Sequence, residues 1–204
     1  MATETDLLND ALGLIGAERI TAIDDGSTNS NYCASMYPAM RDSLLRSHHW
    51  NFAVTRVELA QDVTAPVFGY AYSYSLPANC LKVIDYGGAL PVSGTAVMVY
   101  PFWPYNQRNV VNYKIEGRKL YSNDGQALIV YLRQETNPAL WDPMFYQAVV
   151  HGLASKLANA IRKDPKLSLA LLQQSDHYWG LAAAVDGQEG STQAFISDDL
   201  TWGR

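Results

Sequence analysis

Apolar residues recur at helical spacing at the start of the chain. Within residues 3–15 they stand three to four positions apart, and Gly16 follows directly. The positions are Leu7, Leu8, Ala11, Leu12 and Ile15. This pattern predicts a short amphipathic helix that ends near Gly16.

A second helical pattern follows a turn-like stretch, Asp24-Asp25-Gly26-Ser27. Its apolar positions are Cys33, Met36, Met40, Leu44 and Leu45. Ser27 and Thr28 are both candidate N-caps. Pro38 lacks a backbone donor, so the pattern predicts either a kinked helix or one that starts late.

The period changes to two between Trp50 and Asn137. Tyr70, Tyr72 and Tyr74 alternate with small residues, which predicts three rings on one face of a strand. Further strands are predicted at residues 81–86, 96–100, 110–116 and 127–133. Glycine-containing turns separate them, so we expect an antiparallel sheet of about five short strands.

Helical spacing returns after Asp142-Pro143 and again after Asp164-Pro165, where an Asp cap precedes a Pro suited to the first helical position. The first helix has small residues at Gly152, Ala154, Ser155 and Ala158, which allow another helix to approach closely. It also has one apolar stripe, formed by Tyr146, Val150, Leu153, Leu157 and Ile161. The second has near-heptad apolar positions at Leu167, Leu171, Tyr178, Leu181 and Val185. The short connection predicts an antiparallel helical hairpin.

Helices at both ends with strands between them predict an α+β fold. We expect an antiparallel four-helix bundle built from residues 1–50 and 138–187. A β-sheet domain, residues 51–137, would be inserted into it and project from it. Residues 188–204 are rich in Gly, Gln, Ser, Thr and Asp, which predicts an extended C-terminal arm. Its apolar residues, including Phe195 and Trp202, suggest that the arm binds a partner.

Composition narrows the function. Hydrophobic residues make up 48% of the chain and the net charge is −5, which describes a folded protein with little capacity to grip nucleic-acid phosphates. A DNA-binding protein would need a basic face that this composition hardly allows. Cys33 and Cys80 lack metal-ligand spacing, and no signal peptide or membrane-spanning stretch is evident. We therefore expect synthesis in the cytoplasm and no membrane association.

Catalytic motifs are hard to find. Adjacent residues on a helix point about 100° apart, so His48 and His49 do not share a face and predict no metal site. Asp24-Asp25-Gly26 lacks the later ligands of a calcium loop and is better explained as a turn. We expect no catalytic residue, no cofactor and no metal. Two of the 20 acidic residues could still meet as a carboxylate pair, which leaves a glycoside hydrolase as an enzymatic alternative.

Aromatic content points toward protein interfaces instead. The chain has 13 Tyr and 5 Trp, residue types that bury a large area and retain a polar group. Packing inside the β-structure would account for them equally well. The candidate interface residues are Tyr70, Tyr72, Tyr74, Gly152, Ser155, Phe195 and Trp202.

Several motifs, taken in order, resemble one family. They are LNDALGLIGA (residues 8–17), RDSLLR (41–46), HHWNFA (48–53), FGYAYSYSLPANCLKV (68–83), YKIEGRKL (113–120) and NPALWDPMF (137–145). Together they are similar to the tail tubular protein A, or head-to-tail adaptor, family of short-tailed bacteriophages. The family commonly has Pro where His49 stands, which is one departure from the pattern.

The resemblance implies a virion structural protein at the head–tail junction and not an enzyme. The alternative is a tail-associated cell-wall hydrolase with two opposed carboxylates. Family members form a ring of about twelve copies, with the helical part toward the portal and the sheet toward the tail nozzle. The expected partners are therefore other copies of the chain, a portal protein and a nozzle protein. DNA would pass through the channel without specific binding, and an acidic lining would favour its sliding.

Overall fold

The computed structural model describes residues 2–88 and 113–189. Over these residues the chain is α+β, with four α-helices and six strands in two antiparallel three-stranded sheets. The helices are α1 (Glu4–Leu14), α2 (Thr28–Ser47), α3 (Pro143–Leu157) and α4 (Pro165–Gln188). The strands are β1 (Val54–Leu59), β2 (Tyr72–Ser75), β3 (Cys80–Gly88), β4 (Tyr113–Glu116), β5 (Lys119–Ser122) and β6 (Ala127–Arg133).

Side-chain caps set the helix starts. Thr3 and Asp6 form a reciprocal capping box at α1, and the Ser27 side chain accepts a hydrogen bond from Ser30 N to begin α2. The predicted Asp-Pro starts are confirmed, since Asp142 and Asp164 each accept two backbone N–H bonds at the start of α3 and α4. Pro38 lies inside α2, which begins ten residues earlier, so the predicted late start is wrong.

The α3–α4 pair is an antiparallel hairpin, as predicted. Ser155 Oγ donates to the carbonyl of Ser168, and Ser175 Oγ donates to the carbonyl of Ala148, both at 2.8 Å. The later residue of α3 thus pairs with the earlier residue of α4, as in an antiparallel hairpin. A π-helical turn, Ala158–Arg162, extends α3, and Lys163 adopts a left-handed conformation (φ 53°) before Asp164 restarts the helix.

The strands form two sheets and not the single sheet expected. Their orders are β1–β6–β3 and β2–β5–β4, and every pairing is antiparallel. The sheets pack face to face through a cluster that includes Leu59, Tyr74, Tyr86, Leu120 and Ile129. Alternation identifies the residues that share a face, but it does not determine which strands pair. The predicted strand at 96–100 and the start of the one at 110–116 lie outside the described residues.

The four helices do not form the expected antiparallel bundle. α1, α2 and α4 each pack mainly on α3, and the first sheet supplies the remaining wall of the helical core. Leu132 is buried in that core, and Val54, Leu81 and Ile84 pack against it. The first sheet therefore has helices on one face and the second sheet on the other. The α+β class is compatible with the structure, whereas the four-helix bundle is wrong.

The burial of α3 explains this arrangement. Apolar residues are buried on nearly every side of α3, as at Phe145, Ala148, Val150, Leu153 and Ala154. Burying such a helix all round requires more than the two neighbours of a bundle. The sequence interpretation counted one apolar stripe and missed this. The proposed division into domains 1–50 with 138–187, 51–137 and 188–204 stays a prediction.

Candidate interaction surfaces

Gly152 lies where three helices meet. A Cβ added to it would stand 1.9 Å from Met40 Cε on α2 and 2.9 Å from Ser175 Oγ on α4. The helices can approach this closely only because Gly152 has no side chain. Ser155, one turn along, is also buried and holds the hairpin through its bond to Ser168. Both residues serve the packing of one chain, and their role between copies stays a prediction.

The three predicted tyrosines are not equivalent. Tyr72 and Tyr74 lie on the inner face of β2. Tyr74 is 1% exposed, and its hydroxyl donates to the Asp124 carbonyl at 2.5 Å. Tyr70 precedes β2, and its ring lies 6.2 Å from that of Tyr121. Tyr121 pairs with Ser73 and so belongs to the opposite face. The expected row of three rings on one face is therefore wrong at Tyr70.

A loop that the sequence interpretation missed projects beyond the sandwich. We call residues 62–71, between β1 and β2, the distal loop. Its apolar residues Val63, Val67 and Phe68 are 105%, 97% and 88% exposed. The loop emerges at the sandwich end marked by the 123–125 turn, because Ala71 N donates to Asn123 Oδ1 at 2.9 Å. Pro66 and Gly69 interrupt the sequence here, so its apolar residues fit neither a strand nor a helix pattern.

Asp62 fixes the base of the distal loop. Its carboxylate accepts hydrogen bonds from Lys119 Nζ at 2.8 Å and from the hydroxyls of Ser73 and Ser75. The bond from Lys119, with those from the serines, lowers the pKa of Asp62 below its usual 3.8. Asp62 N also donates to the carbonyl of Ser73. The exposed side chains are thus carried on an anchored base.

A second exposed apolar surface lies on the helical hairpin. We call it the hairpin patch, and it consists of Leu140, Met144, Leu181 and Val185, each at least 40% exposed. The register of the hairpin places Leu181 near Met144, and the contact between the rings of His151 and Tyr178, with centroids 4.9 Å apart, indicates that these flanks face the same way. Of the predicted near-heptad positions, Leu171 is buried, whereas Leu181 and Val185 are exposed. Ala182, which lay outside that pattern, is buried beside them.

The His48-His49-Trp50 motif joins the helices to the first sheet. His48 Nε2 lies 3.2 Å from Asp186 Oδ2, and Asp186 Oδ1 accepts a bond from Asn51 N at 2.9 Å. His49 diverges toward Lys82; burial, and then the nearby charge of Lys82, lower the pKa of His49. Trp50 is fully buried against Phe145 at 4.8 Å. The motif is a structural junction.

A cavity of about 200 Å³ opens beside this junction. It is lined by Phe52, Leu140, Trp141, Asp142, Asp186 and Glu189. Three of these residues are apolar, three are acidic, and none is basic. Asp186 is buried, whereas Leu140 is 52% exposed at the rim, where the cavity adjoins the hairpin patch.

Reactive groups are sparse in the part of the chain that the structure describes. No three metal-ligand side chains converge there, and Asp25 uses its oxygens on Thr21 N and Ser27 N, bonds that depress its pKa. Burial raises the pKa of the Cys33 thiol to about 11, and burial raises that of Cys80 as well. Thiols in such surroundings are poor nucleophiles. Phe195 and Trp202 lie outside the described residues.

Within residues 2–88 and 113–189, no helix has the length and apolarity to cross a membrane. A scan against protein-family models and a search of curated proteins both gave no match. The motif resemblance is therefore the starting point for a functional proposal.

Proposed function

We propose that this chain is a ring-forming structural subunit of a short-tailed bacteriophage virion, a head-to-tail adaptor that connects the portal to the tail nozzle. It would lie at the head–tail junction and line the channel through which DNA is ejected. The motif resemblance supports this class. The surfaces of the folded chain supply a second and independent line of support.

The observation that carries the proposal is the presence of two separate apolar surfaces, the distal loop and the hairpin patch. A ring built by head-to-tail association needs two different sticky surfaces on every copy. An isolated monomer gains nothing from three solvated apolar side chains at a loop tip, and exposed apolar patches commonly mark contacts with other proteins. The distal loop lies at the sandwich end marked by the 123–125 turn, whereas the hairpin patch lies on the helical part, so the two surfaces are different and separate.

Electrostatics agree with a channel that does not retain DNA. The chain carries a net charge of −5, and a ring repeats that charge around its axis. Phosphate binding requires clustered Lys and Arg, whereas acidic walls repel the backbone. The DNA would therefore pass through without specific contacts. Simple solubility would account for the same charge in a protein that never meets DNA.

The cell-wall hydrolase alternative draws little support from the described residues. The cavity does bring Asp142, Asp186 and Glu189 together, but the first two are committed to structural hydrogen bonds with backbone N–H groups. Its volume of about 200 Å³ is also below the range of about 300–1,000 Å³ that is usual for ligand pockets. No specific observation favours hydrolysis.

The test is to purify the chain with a portal protein from the same phage and to examine the complex by negative-stain imaging and native mass spectrometry. A closed ring of about twelve copies on the portal is the expected result. A complex without rings, or no complex at all, would contradict the proposal. Release of soluble products from bacterial cell wall, lost on Glu189→Gln, would favour the hydrolase instead.

A further inference from the structure

The acidic cavity at the end of α4 has a chemistry that the proposed function leaves unexplained. We propose that it binds the tip of the chain's own C-terminal arm, with the Trp202 ring in the cavity and the Arg204 guanidinium against its carboxylates. The proposal concerns the single chain, so it does not depend on ring formation or on the portal.

Size limits the guest. An apolar cavity of about 150 Å³ in another protein takes up benzene, whereas metabolite and drug pockets are about 300–1,000 Å³. At about 200 Å³, this cavity accommodates one aromatic side chain and little more. A protein side chain is therefore a better fit than a metabolite.

The lining specifies which side chain. Phe52 and Trp141 offer aromatic surface, while Asp142, Asp186 and Glu189 place three carboxylates around it. Asp186 is held in place by Asn51 N and His48, so its charge is part of a built structure. Apolar walls beside carboxylates favour an aromatic ring with a cation next to it.

The arm contains one such pair. Among residues 190–204 the aromatic side chains are Phe195 and Trp202, and the basic side chain is Arg204. Both rings have an acidic neighbour, since Asp198 stands three positions from Phe195 and Asp199 three positions from Trp202. Trp202 also has a basic neighbour, Arg204, two positions away, whereas Phe195 has none nearby. The basic neighbour thus selects Trp202 over Phe195.

The point of attachment favours the chain's own arm. Glu189 lines the cavity, and the arm continues directly from it. The twelve residues 190–201 span up to about 40 Å when extended, which leaves ample length for Trp202 to turn back to the rim. A short tether of this kind gives an effective concentration on the order of millimolar. A neighbouring copy in dilute solution cannot match that concentration.

Bound in this way, the arm tip is occupied before assembly. Any partner that uses Trp202 must first displace it from the cavity, which delays attachment until a competing surface is offered. The contact therefore acts as an intramolecular cap on the arm.

The test uses methyl NMR of the full chain labelled at leucine. An indole ring in the cavity should shift the Leu140 methyl resonances upfield, because Leu140 lines the rim. Trp202→Ala should abolish that shift, and Arg204→Glu should reduce it most strongly at low salt. Phe195→Ala is the matched control and should leave the shift intact. Thermal unfolding of each variant confirms that the fold is retained.

A second variant approaches the contact from the cavity side. Leu140→Arg adds a cation to the rim of the cavity at a half-exposed position, so the fold should tolerate it while the Trp202 tip is displaced. Fluorine NMR of fluorotryptophan-labelled chain, with Trp202 assigned from Trp202→Phe, should then show a solvated indole. Three results would each overturn the proposal: Leu140 methyls that do not respond to Trp202→Ala, an equal response to Phe195→Ala, or a shift that depends on protein concentration.

Discussion

Phe145 and Phe68 are the same residue type in two opposite settings. Phe145 on α3 is fully buried, in contact with the rings of Trp50, Phe52 and Trp141. Phe68 stands on the distal loop, where almost all of its ring is solvated. Burying a large apolar side chain contributes about 1.5–3 kcal/mol to stability. The helical core therefore holds the fold together, while the distal loop contributes almost nothing to the stability of a single chain.

The difference shows that folding and association use separate residues in this chain. Changes around α3 should alter the free energy of unfolding, and assembly only as a consequence. Changes at the distal loop should alter association and leave unfolding untouched. Unfolding and assembly should therefore be altered by different substitutions.

The largest effect is expected at Gly152. Gly152→Leu adds a side chain whose first atom already collides with Met40, so the variant should fail to fold or lose more than about 3 kcal/mol of stability. The measurement is chemical denaturation followed by circular dichroism. A variant as stable as the parent would show that the three helices do not meet as closely as described.

Gly180 is the matched control, because a Cβ added there would meet no atom within 4 Å. Gly180→Ala should raise stability by about 0.5–1 kcal/mol through helix propensity, whereas Gly152→Ala should lower it by about 1–3 kcal/mol. Pairing Gly152→Ala with Met40→Ala should recover part of the loss, since Met40 Cε is the nearest atom. Two alanine variants that behaved alike would contradict this account of the core.

The next effect separates two tyrosines on one strand. Tyr74→Ser removes a fully buried ring and its bond to Asp124, and should cost on the order of 3–5 kcal/mol. Tyr72→Ser removes a partly exposed ring and should cost about half as much. Thermal unfolding of the two variants gives the ranking. A larger loss at Tyr72 would place the core of the sandwich elsewhere.

The sequence predicted local features well. The α+β class, the Asp caps at Asp142 and Asp164 and the antiparallel hairpin all follow from chemistry within a few residues. The two sheets, the central position of α3 and the outward side of Leu181 depend on which elements meet, and no local pattern contains that information. The predicted four-helix bundle is wrong for this reason. One wall of the helical core comes from the first sheet, through residues such as Leu132 that are far from α1 in sequence.

The candidate surfaces follow the same division. Periodicity correctly placed Tyr72 and Tyr74 on one face of the strand. The turn at Gly69 moves Tyr70 to the other face. Gly69 has a φ of +87°, which the sequence alone does not predict. The exposed apolar residues of the distal loop are irregularly spaced around Pro66, so they fit neither a helix nor a strand pattern. They are Val63, Val67 and Phe68. The cavity joins residues from three separate segments, and its acidic character emerges only when Asp142, Asp186 and Glu189 are brought together.

A small pH effect is expected at the base of the distal loop. The pKa of Asp62 is lowered in the folded state, so its stabilising contribution is complete above the usual value of 3.8 and is lost as pH falls through the lowered folded pKa. The hydrogen-exchange protection factors of residues 62–75, which correct for the intrinsic exchange rate at each pH, should therefore fall below about pH 4, ahead of global unfolding. Asp62→Asn should show low protection at every pH. Protection factors in the parent that do not change with acid would refute the anchor.

The separation between folding and association is tested most directly at Phe68. Sedimentation velocity and thermal unfolding would be measured in parallel for the parent, for the double variant Val67→Ser/Phe68→Ser and for Thr64→Ser, an exposed polar control on the same loop. The double variant should melt within about 0.5 kcal/mol of the parent yet lose ring assembly, alone or on the portal, while Thr64→Ser retains both. Normal assembly by the double variant, or a marked loss of its stability, would contradict the account.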